Sequence, residues 1–237
     1  MNKLYHFYCL SFNNPIRTTA MREKFTRLGE YHSSIYEGVH PTNQRISERN
    51  GSDSEKRVWS CMWGHLDMIN DFYYNSSAEF GIFCEDDILI HKDIIQLLPK
   101  ILKDFTKMNL DVLLLGYLLP FRLDNNSYFV DYNKEFKYNS VKYNYYTYPS
   151  DLWGTQMYVL SKSSAKKMLD KFASDRGYEY DDLPFSSDWT ITKYGKRAMI
   201  YPMLAIEQSP TSSSSLTEQE IFHLKCHNTH FDETIFI

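Results

Sequence analysis

Short apolar runs and helix-periodic stripes alternate along most of the chain. Residues 112–115, for example, are continuously apolar, as in a strand buried on both faces of a sheet. Elsewhere apolar residues recur every three or four positions, which is typical of amphipathic helices. The alternation predicts an α/β fold with a mostly parallel sheet covered by helices. The predicted strands are 4–12, 33–39, 80–84, 111–117, 153–160 and 198–206, and the predicted helices are 18–28, 52–75, 94–105 and 163–172.

The clearest helix start lies at Ser52. Glu55 follows three positions later, and the pair matches a capping box, in which each residue hydrogen-bonds the other's backbone. His65 falls on the apolar stripe of the helix that follows. A lone histidine on such a stripe is ordinarily a hydrogen-bonded core residue, and its nearness to a functional site is the alternative.

Two segments lack a clear period. Residues 123–148 are rich in Tyr, Asn and Lys and poor in aliphatic residues, which indicates an irregular insertion or strands joined by long loops. Residues 211–217 contain four consecutive serines and are expected to form a flexible loop. Between them and the C-terminus, His223, His227 and His230 are expected in a polar, solvated tail, with a metal-ligand role as the alternative.

Composition narrows the class of protein. The 237 residues carry 26 Lys+Arg against 30 Asp+Glu, a net charge of −4, so we expect no general binding of nucleic acid. No apolar run approaches the roughly 20 residues that cross a bilayer. We therefore expect no transmembrane segment, and peripheral membrane contact and the oligomeric state stay open. The four cysteines form no close pair and the N-terminus does not resemble a signal peptide, which favours a reducing, cytoplasmic location.

Three consecutive carboxylates, Glu85, Asp86 and Asp87, end an apolar strand. In extended backbone Glu85 and Asp87 point to one side and Asp86 to the other. Two carboxylates on one side suit a hard divalent ion such as Mg²⁺ or Mn²⁺. A nucleoside diphosphate would supply the remaining ligands of that ion. An exposed acidic turn is the alternative reading.

Several short sequence blocks follow one another along the chain. Their order and spacing, taken together, are a more specific signature of a protein family than any single block. The blocks are Leu10-Ser11 with Arg17 and Met21; Cys61-Met62-Trp63-Gly64-His65-Leu66; Phe83-Cys84-Glu85-Asp86-Asp87; Leu113-Leu114-Leu115-Gly116; 153–161 with Ala165-Lys166-Lys167; Ser187-Asp188-Trp189; and Glu207-Gln208. In these blocks the chain resembles glycosyltransferase family 25, the lipopolysaccharide sugar transferases and collagen galactosyltransferases. Gly64 stands where that family usually has Ser.

The resemblance implies a single GT-A domain over residues 1–237, a UDP-sugar donor, Mn²⁺ or Mg²⁺, and inversion at the sugar carbon. It implies Asp87 and Glu85 as metal ligands. Asp87 is the better candidate, because Glu85 replaces the first Asp of the family's Asp-x-Asp pattern. It implies Asp188 as the catalytic general base. The residues that it places around the donor are Leu10, Ser11, Arg17, His65, Glu85, Asp86, Gly154 and Thr155.

Each assignment has a structural alternative. Asp188 precedes a plausible helix start and would also serve as an N-cap. Arg17 would equally be an exposed residue at a helix start. Trp153 would stack on an acceptor sugar, although a core role is more common for Trp.

The function expected from the sequence is metal-dependent inverting transfer of a sugar from a UDP-sugar to a hydroxyl of a glycan, lipopolysaccharide or protein. The alternative is a non-catalytic nucleotide-sugar or glycan-binding protein of the same fold. A nucleotidyltransferase would need a Gly-rich phosphate loop near the N-terminus, and Asn13-Asn14-Pro15 is not one.

Overall fold

The computed structural model describes residues 3–30, 33–123, 129–172, 185–209 and 216–237. The strands in these ranges are β1 Tyr5–Ser11, β2 Ser34–Glu37, β3 Phe80–Glu85, β4 Ile88–Ile90, β5 Val112–Leu118, β6 Asp131–Tyr138, β7 Val141–Tyr146, β8 Trp153–Ser161, β9 Arg197–Tyr201 and β10 Ala205–Glu207. The helices are α1 Pro15–Arg27, α2 Gln44–Ser47, α3 Asp53–Asn75, α4 Ile94–Met108, α5 Lys162–Phe172, α6 Ser187–Thr190 and α7 Glu218–His230.

The described strands form one sheet in the order β2-β1-β3-β8-β5-β9-β7-β6, with β10 pairing β4 and β5. The predicted α/β class is confirmed, but the sheet is mixed rather than mostly parallel. Strand β1 is parallel to β2 and β3, whereas β8 is antiparallel to both of its neighbours, β3 and β5. Two parallel neighbours need a crossover connection of a dozen or more residues, usually a helix. None of the described residues between β5 and β8 is helical, which agrees with the antiparallel direction of β8.

A hairpin occupies that connection. For residues 123–148 the sequence left two readings open, an irregular insertion or strands joined by long loops. The described residues 129–148 form the strands β6 and β7, with a register shift between Asp131 and Glu135, but only two residues join them. Strand β7 continues the sheet beside β9. Residues 124–128 lie outside the described part of the chain. Of the expected flexible loop at 211–217, residues 211–215 also lie outside it.

Helices cover both faces of the sheet. Neighbouring residues of β5 divide between two apolar clusters, Val112 and Leu114 in one and Leu113 and Leu115 in the other, as expected when successive side chains point to opposite faces. Residues of α3 and α5 join the first cluster, and residues of α1 and α4 join the second. None of the described helices is both long and apolar enough to span a bilayer.

Helix α3 begins as predicted and lies close to β1. Its N-terminus carries the Ser52–Glu55 capping box in full. At Gly64 an added Cβ would come within 2.6 Å of Leu10 Cδ1, so the absent side chain lets the helix approach the strand. A serine at this position would require Leu10 to move.

The pairing of β1, β3 and β8 brings three chain segments to one edge of the sheet. Leu10 is paired with Glu85, so the carboxyl ends of β1 and β3 lie side by side. Because β8 is antiparallel, its first residues reach the same edge, where Trp153 pairs with Leu118 at the end of β5. Ligands of open α/β sheets bind at such an edge.

Candidate active site

Asp86 joins the acidic segment to β1 and α1. Its Oδ2 accepts a hydrogen bond from Ser11 Oγ at 2.6 Å, and its Oδ1 accepts one from Arg17 Nη1 at 3.3 Å. The same guanidinium nitrogen donates to Asp87 Oδ2 at 3.2 Å. Four residues singled out from the sequence are therefore in direct contact, with the half-exposed Arg17 bridging two carboxylates.

Glu85 is held from the opposite side. Its Oε1 accepts a hydrogen bond from Thr155 Oγ1 at 2.7 Å and lies 3.5 Å from Nε2 of the fully buried His65. The other ring nitrogen of His65 hydrogen-bonds the Tyr158 hydroxyl at 2.9 Å. When that hydroxyl donates to Nδ1, the Nε2–H of the ring faces Glu85. Burial raises the pKa of Glu85, but the histidine and the threonine outweigh it and lower the pKa.

Asp87 and Asp188 have raised pKa values. Burial, followed by the charges of Glu85 and Glu207, raises the pKa of Asp87 to about 7. Burial and the charge of Glu85 raise the pKa of Asp188 to about 6, although the Gly154 N–H opposes the shift. Carboxyl groups with pKa values near neutrality, in one cleft, are typical of functional sites.

Asp188 is not an N-cap. Helix α6 is capped by Ser186, and Asp188 lies inside the helix. Its Oδ1 instead accepts a hydrogen bond from the backbone N–H of Gly154 at 2.9 Å. Gly154, the second residue of β8, has φ +119°, a backbone conformation that residues with a side chain rarely adopt. In this conformation its N–H faces the carboxylate of Asp188. The capping alternative is therefore wrong, and the contact with β8 holds Asp188 at the edge of the sheet.

Two cavities meet at the acidic segment. The first, of about 600 Å³, is lined by Leu10, Phe12, Arg17, Gly38, His40, Pro41, Arg57, Ser60, Cys61, Glu85, Asp86 and Asp87. The second, of about 530 Å³, is lined by Arg57, Val58, Cys61, Glu85, Asp87, Leu118, Trp153, Gly154, Thr155, Gln156, Ser186, Ser187, Asp188, Trp189, Glu207, Gln219 and His223. Glu85 and Asp87, hereafter the acidic junction, line both. Ser11 and His65 line neither cavity. Ser11 instead donates a hydrogen bond to Asp86, and His65 lies against Glu85.

Glu207, which lies in the last block of the family resemblance, and His223, a candidate metal ligand from the sequence, both line the second cavity. His223 Nδ1 is 2.9 Å from Glu207 Oε1, and this hydrogen bond raises the pKa of the imidazole. The three C-terminal histidines lie on α7 rather than in a solvated tail. His227 hydrogen-bonds the Glu207 carbonyl and His230 that of Leu119. The capping box of Thr217 and Glu220 at the start of α7 was a signal available in the sequence.

The residues of the acidic junction fit a divalent ion. Burial, followed by the charges of Glu85 and Glu207, raises the pKa of Asp87 even though Arg17 opposes the shift, and a bound cation would relieve this repulsion. The oxygen donors of the junction are those that Mg²⁺ and Mn²⁺ prefer. Among the described residues, the ligand atoms of Cys61, His65 and Glu85 also lie within 4.8 Å of one another. That set mixes sulfur, nitrogen and oxygen, and suits a softer metal than the one expected.

The sequence identifies the class of enzyme. Residues 17–184, more than two thirds of the chain, match the model of glycosyltransferase family 25 (LPS biosynthesis protein). The chain therefore belongs to glycosyltransferase family 25 and is a glycosyltransferase, an enzyme that takes a sugar donor and an acceptor. The match covers Arg17, His65, the acidic junction, Gly154 and Thr155, and it ends before Asp188.

A comparison with curated proteins finds no match. Among solved structures, the chain is similar to a glycosyltransferase involved in the glycosylation of the major capsid of PBCV-1, with 12% identity, 95% of this chain and 98% of that chain covered, and a TM-score of 0.44. It is also similar to A197 from STIV, with 10% identity, coverage of 91% and 99%, and a TM-score of 0.36. Both TM-scores are below 0.5, so neither likeness identifies the fold.

Proposed function

We propose that this glycosyltransferase has a GT-A type fold and transfers a sugar from a UDP-sugar to a hydroxyl, with a divalent ion and inversion at the sugar carbon. The observation that carries the proposal is the meeting of two cavities at the acidic junction, with Asp188, whose pKa is raised to about 6, in the second one. A donor and an acceptor must meet at one carbon atom, and two cavities that share one acidic wall suit that requirement.

The first cavity suits the nucleotide. Phe12 and His40 line it as a stacked pair, with ring centroids 6.0 Å apart and planes inclined by 20°. Aromatic faces of this kind bind a planar base such as uracil. Arg17 lines the same cavity and offers a guanidinium to the diphosphate. The base and the diphosphate thus have complementary partners on one wall, formed by β1 and the start of α1.

Asp87 and Glu85 are the proposed ligands of Mn²⁺ or Mg²⁺. An ion bound there would neutralise the charge that develops on the departing diphosphate. Ser11 and Arg17 hold Asp86, and His65 and Thr155 hold Glu85, so the backbone of the acidic segment is fixed from both sides. These contacts explain why Ser11 and His65, which line neither cavity, are proposed to support the donor site.

Asp188 is the proposed general base. Gly154 occupies its Oδ1, which leaves Oδ2 to take the proton of the acceptor hydroxyl. As that proton leaves, the acceptor oxygen bonds to the sugar carbon and the bond from this carbon to the diphosphate oxygen breaks. The nucleophile enters opposite the leaving group, so a single displacement inverts the carbon. Burial beside Glu85 raises the basicity of Asp188 and favours the proton transfer.

The acceptor is a hydroxyl of a glycan, a lipopolysaccharide or a protein, and the proposed location is cytoplasmic, where UDP-sugars are available. A screen for hydrolysis of UDP-sugars with Mn²⁺ and with EDTA tests the function, because water replaces the acceptor in the second cavity. We expect UDP release from at least one donor, and only with the metal. Tight UDP binding without turnover of any donor, with or without added glycans, would support the non-catalytic binding protein instead.

A further inference from the structure

Cys61, His65 and Glu85 bring a sulfur, a nitrogen and an oxygen atom together beside the acidic junction. Cys61 and His65 are four positions apart on α3, so their side chains share one face of the helix. Cys61 Sγ lies 3.9 Å and His65 Nε2 lies 3.5 Å from Glu85 Oε1, and all three atoms lie within 4.8 Å of one another. A tetrahedral zinc ion holds such atoms roughly 3.4–3.6 Å apart. Small side-chain movements would therefore close this Cys-His-Glu cluster around an ion.

The Nε2 atom of His65 is buried and makes no hydrogen bond. The residue is fully buried, its Nδ1 is 2.9 Å from the Tyr158 hydroxyl, and its Nε2 has no hydrogen-bond partner among the described residues. The 3.5 Å to Glu85 Oε1 is longer than an ordinary N–H···O bond. A buried ring nitrogen without a partner costs free energy. An ion between His65 and Glu85 would bind Nε2, with Nδ1–H donating to the tyrosine hydroxyl.

Hydroxyl groups also stand behind the other two members of the Cys-His-Glu cluster. Thr155 Oγ1 donates to Glu85 Oε1 at 2.7 Å, and Ser187 Oγ lies 3.7 Å from Cys61 Sγ. Metal ligands in proteins ordinarily have such partners, which orient them toward the ion. Cys61 and Glu85 are partly exposed and line both cavities, so an ion reaches His65 from the cavity side.

We propose that Cys61, His65 and Glu85 bind a thiophilic divalent ion of the zinc class, at a site distinct from the hard-ion site proposed at the acidic junction. Sulfur and imidazole ligands favour Zn²⁺ over Mg²⁺ and Mn²⁺. The Cys61 thiol releases its proton to solvent as the ion binds, and three protein ligands leave the fourth position to water.

Glu85 belongs to both sites. A soft ion that takes Glu85 leaves Asp87 as the remaining carboxylate ligand of the hard ion, and should weaken the binding of Mn²⁺. This consequence for catalysis rests on the proposed function, whereas the binding of the soft ion does not.

Absorption spectroscopy of the full, reduced chain with Co²⁺ as the probe tests the site. Cobalt takes the ligands of zinc and gives a sulfur-to-metal charge-transfer band when a thiolate binds it. Wild type should give this band, and Zn²⁺, which binds more tightly, should remove it. Cys61→Ser should lose the band, and His65→Gln should weaken Co²⁺ binding at least tenfold. Cys226→Ser is the matched control, a buried free cysteine on α7, and should keep the band.

Melting temperatures in EDTA establish that the variants are folded, and Cys61→Ser decides alone if His65→Gln is not. Absence of the band in wild type, or its persistence in Cys61→Ser, would overturn the site.

Hydrolysis of UDP-sugars tests the sharing of Glu85. Zinc should raise the Mn²⁺ concentration for half-maximal hydrolysis at least threefold in wild type, and much less in Cys61→Ser. An unchanged Mn²⁺ requirement of zinc-loaded wild type would contradict the sharing. Hydrolysis without a cobalt band rejects the Cys-His-Glu site alone, whereas a band without hydrolysis of any donor rejects the proposed function alone.

Discussion

Asp86, Asp87 and Asp188 are chemically alike, and their neighbours give them different tasks. Asp86 accepts hydrogen bonds on both oxygens and holds β1 and α1 to the acidic segment. Asp87 shares Arg17 with Asp86, and burial and the charges of Glu85 and Glu207 still raise its pKa to about 7. Asp188 is half-buried and accepts the Gly154 N–H through Oδ1, and in the proposed mechanism its Oδ2 takes the proton of the acceptor. The three substitutions to Asn should therefore have different effects.

Asp188→Asn should keep UDP affinity and lower turnover by ~10²-fold or more, the scale of a missing general base. The amide keeps the shape and still accepts the Gly154 N–H, so the melting temperature should change little. Steady-state kinetics with the best UDP-sugar, together with a UDP titration, measures both quantities. Asp170→Asn on the exposed face of α5 is the matched control and should behave as wild type. Near-wild-type transfer by Asp188→Asn would leave Asp188 with a structural role alone.

Asp87 should make the metal-free protein less stable as pH rises. Its pKa in the folded state, about 7, lies above the unfolded value of 3.8, so the folded protein binds the proton more tightly. The stability that this proton confers is fully present below about pH 4 and is lost as pH rises through about 7. Urea unfolding in EDTA should show that Asp87→Asn removes this loss, which for a pKa about 3 above the unfolded value amounts to at most about 4 kcal/mol. Equal pH profiles for the variant and wild type would contradict the assigned environment.

At the scale of elements, the start of β8 is where fold and site depend on each other. The strand must reverse direction relative to β3 to bring Gly154 and Thr155 to Glu85 and Asp188. The turn requires φ +119° at Gly154, where an added Cβ would also approach Leu118 N to 2.9 Å and collide with the Gln156 side chain. Glycine is required here by both backbone conformation and space.

Gly154→Ala should therefore destabilise the fold by about 2–4 kcal/mol and reduce turnover, since the N–H that holds Asp188 would move. Gly29→Ala is the matched control. Gly29 also has positive φ, +76°, but nothing lies within 4 Å of an added Cβ. It should cost only about 1 kcal/mol and leave turnover unchanged. Thermal unfolding and donor hydrolysis of both variants provide the test, and equal losses would show that space at Gly154 is unimportant.

The spacing of apolar residues and the capping residues in the sequence predicted those helices and strands that depend on neighbouring residues alone. The capping box at Ser52, the helix of α4 and the apolar strands β3 and β5 follow from periodicity and short-range bonds. The direction of β8 and the hairpin of β6 and β7 do not, because they depend on pairings between distant segments. The same holds for Glu207 and His223, which reach the second cavity only through the pairing of β10 and the packing of α7.

The candidate site, like the fold, was predictable only where its residues are close together in sequence. The carboxylates at the end of β3 were visible in the sequence, and their contacts with Ser11 and Arg17 place those residues together. For Trp153 the sequence left two readings open, stacking on an acceptor sugar and the more common core role, and the core role is wrong because the residue is 42% exposed. The raised pKa values of Asp87 and Asp188 arise from burial and from charges that lie far apart in sequence.

At the scale of the whole molecule, the proposed complex has a nucleotide in the first cavity and an acceptor in the second. The metal-bound diphosphate lies at the acidic junction, which both cavities share. The two ligands should then bind to one continuous cleft and not to separate sites. The position of the junction at the carboxyl ends of β1 and β3 explains why substitutions in either strand would affect both ligands.

Calorimetric titration of UDP tests whether a metal-bound diphosphate occupies the acidic junction. Wild type should bind UDP at least tenfold more tightly with Mn²⁺ than with EDTA, a difference of about 1.4 kcal/mol or more. Asp87→Asn should abolish this gain while leaving the affinity in EDTA nearly unchanged, and Asp170→Asn should retain the gain. Equal affinity of wild type for UDP with Mn²⁺ and with EDTA would contradict the account.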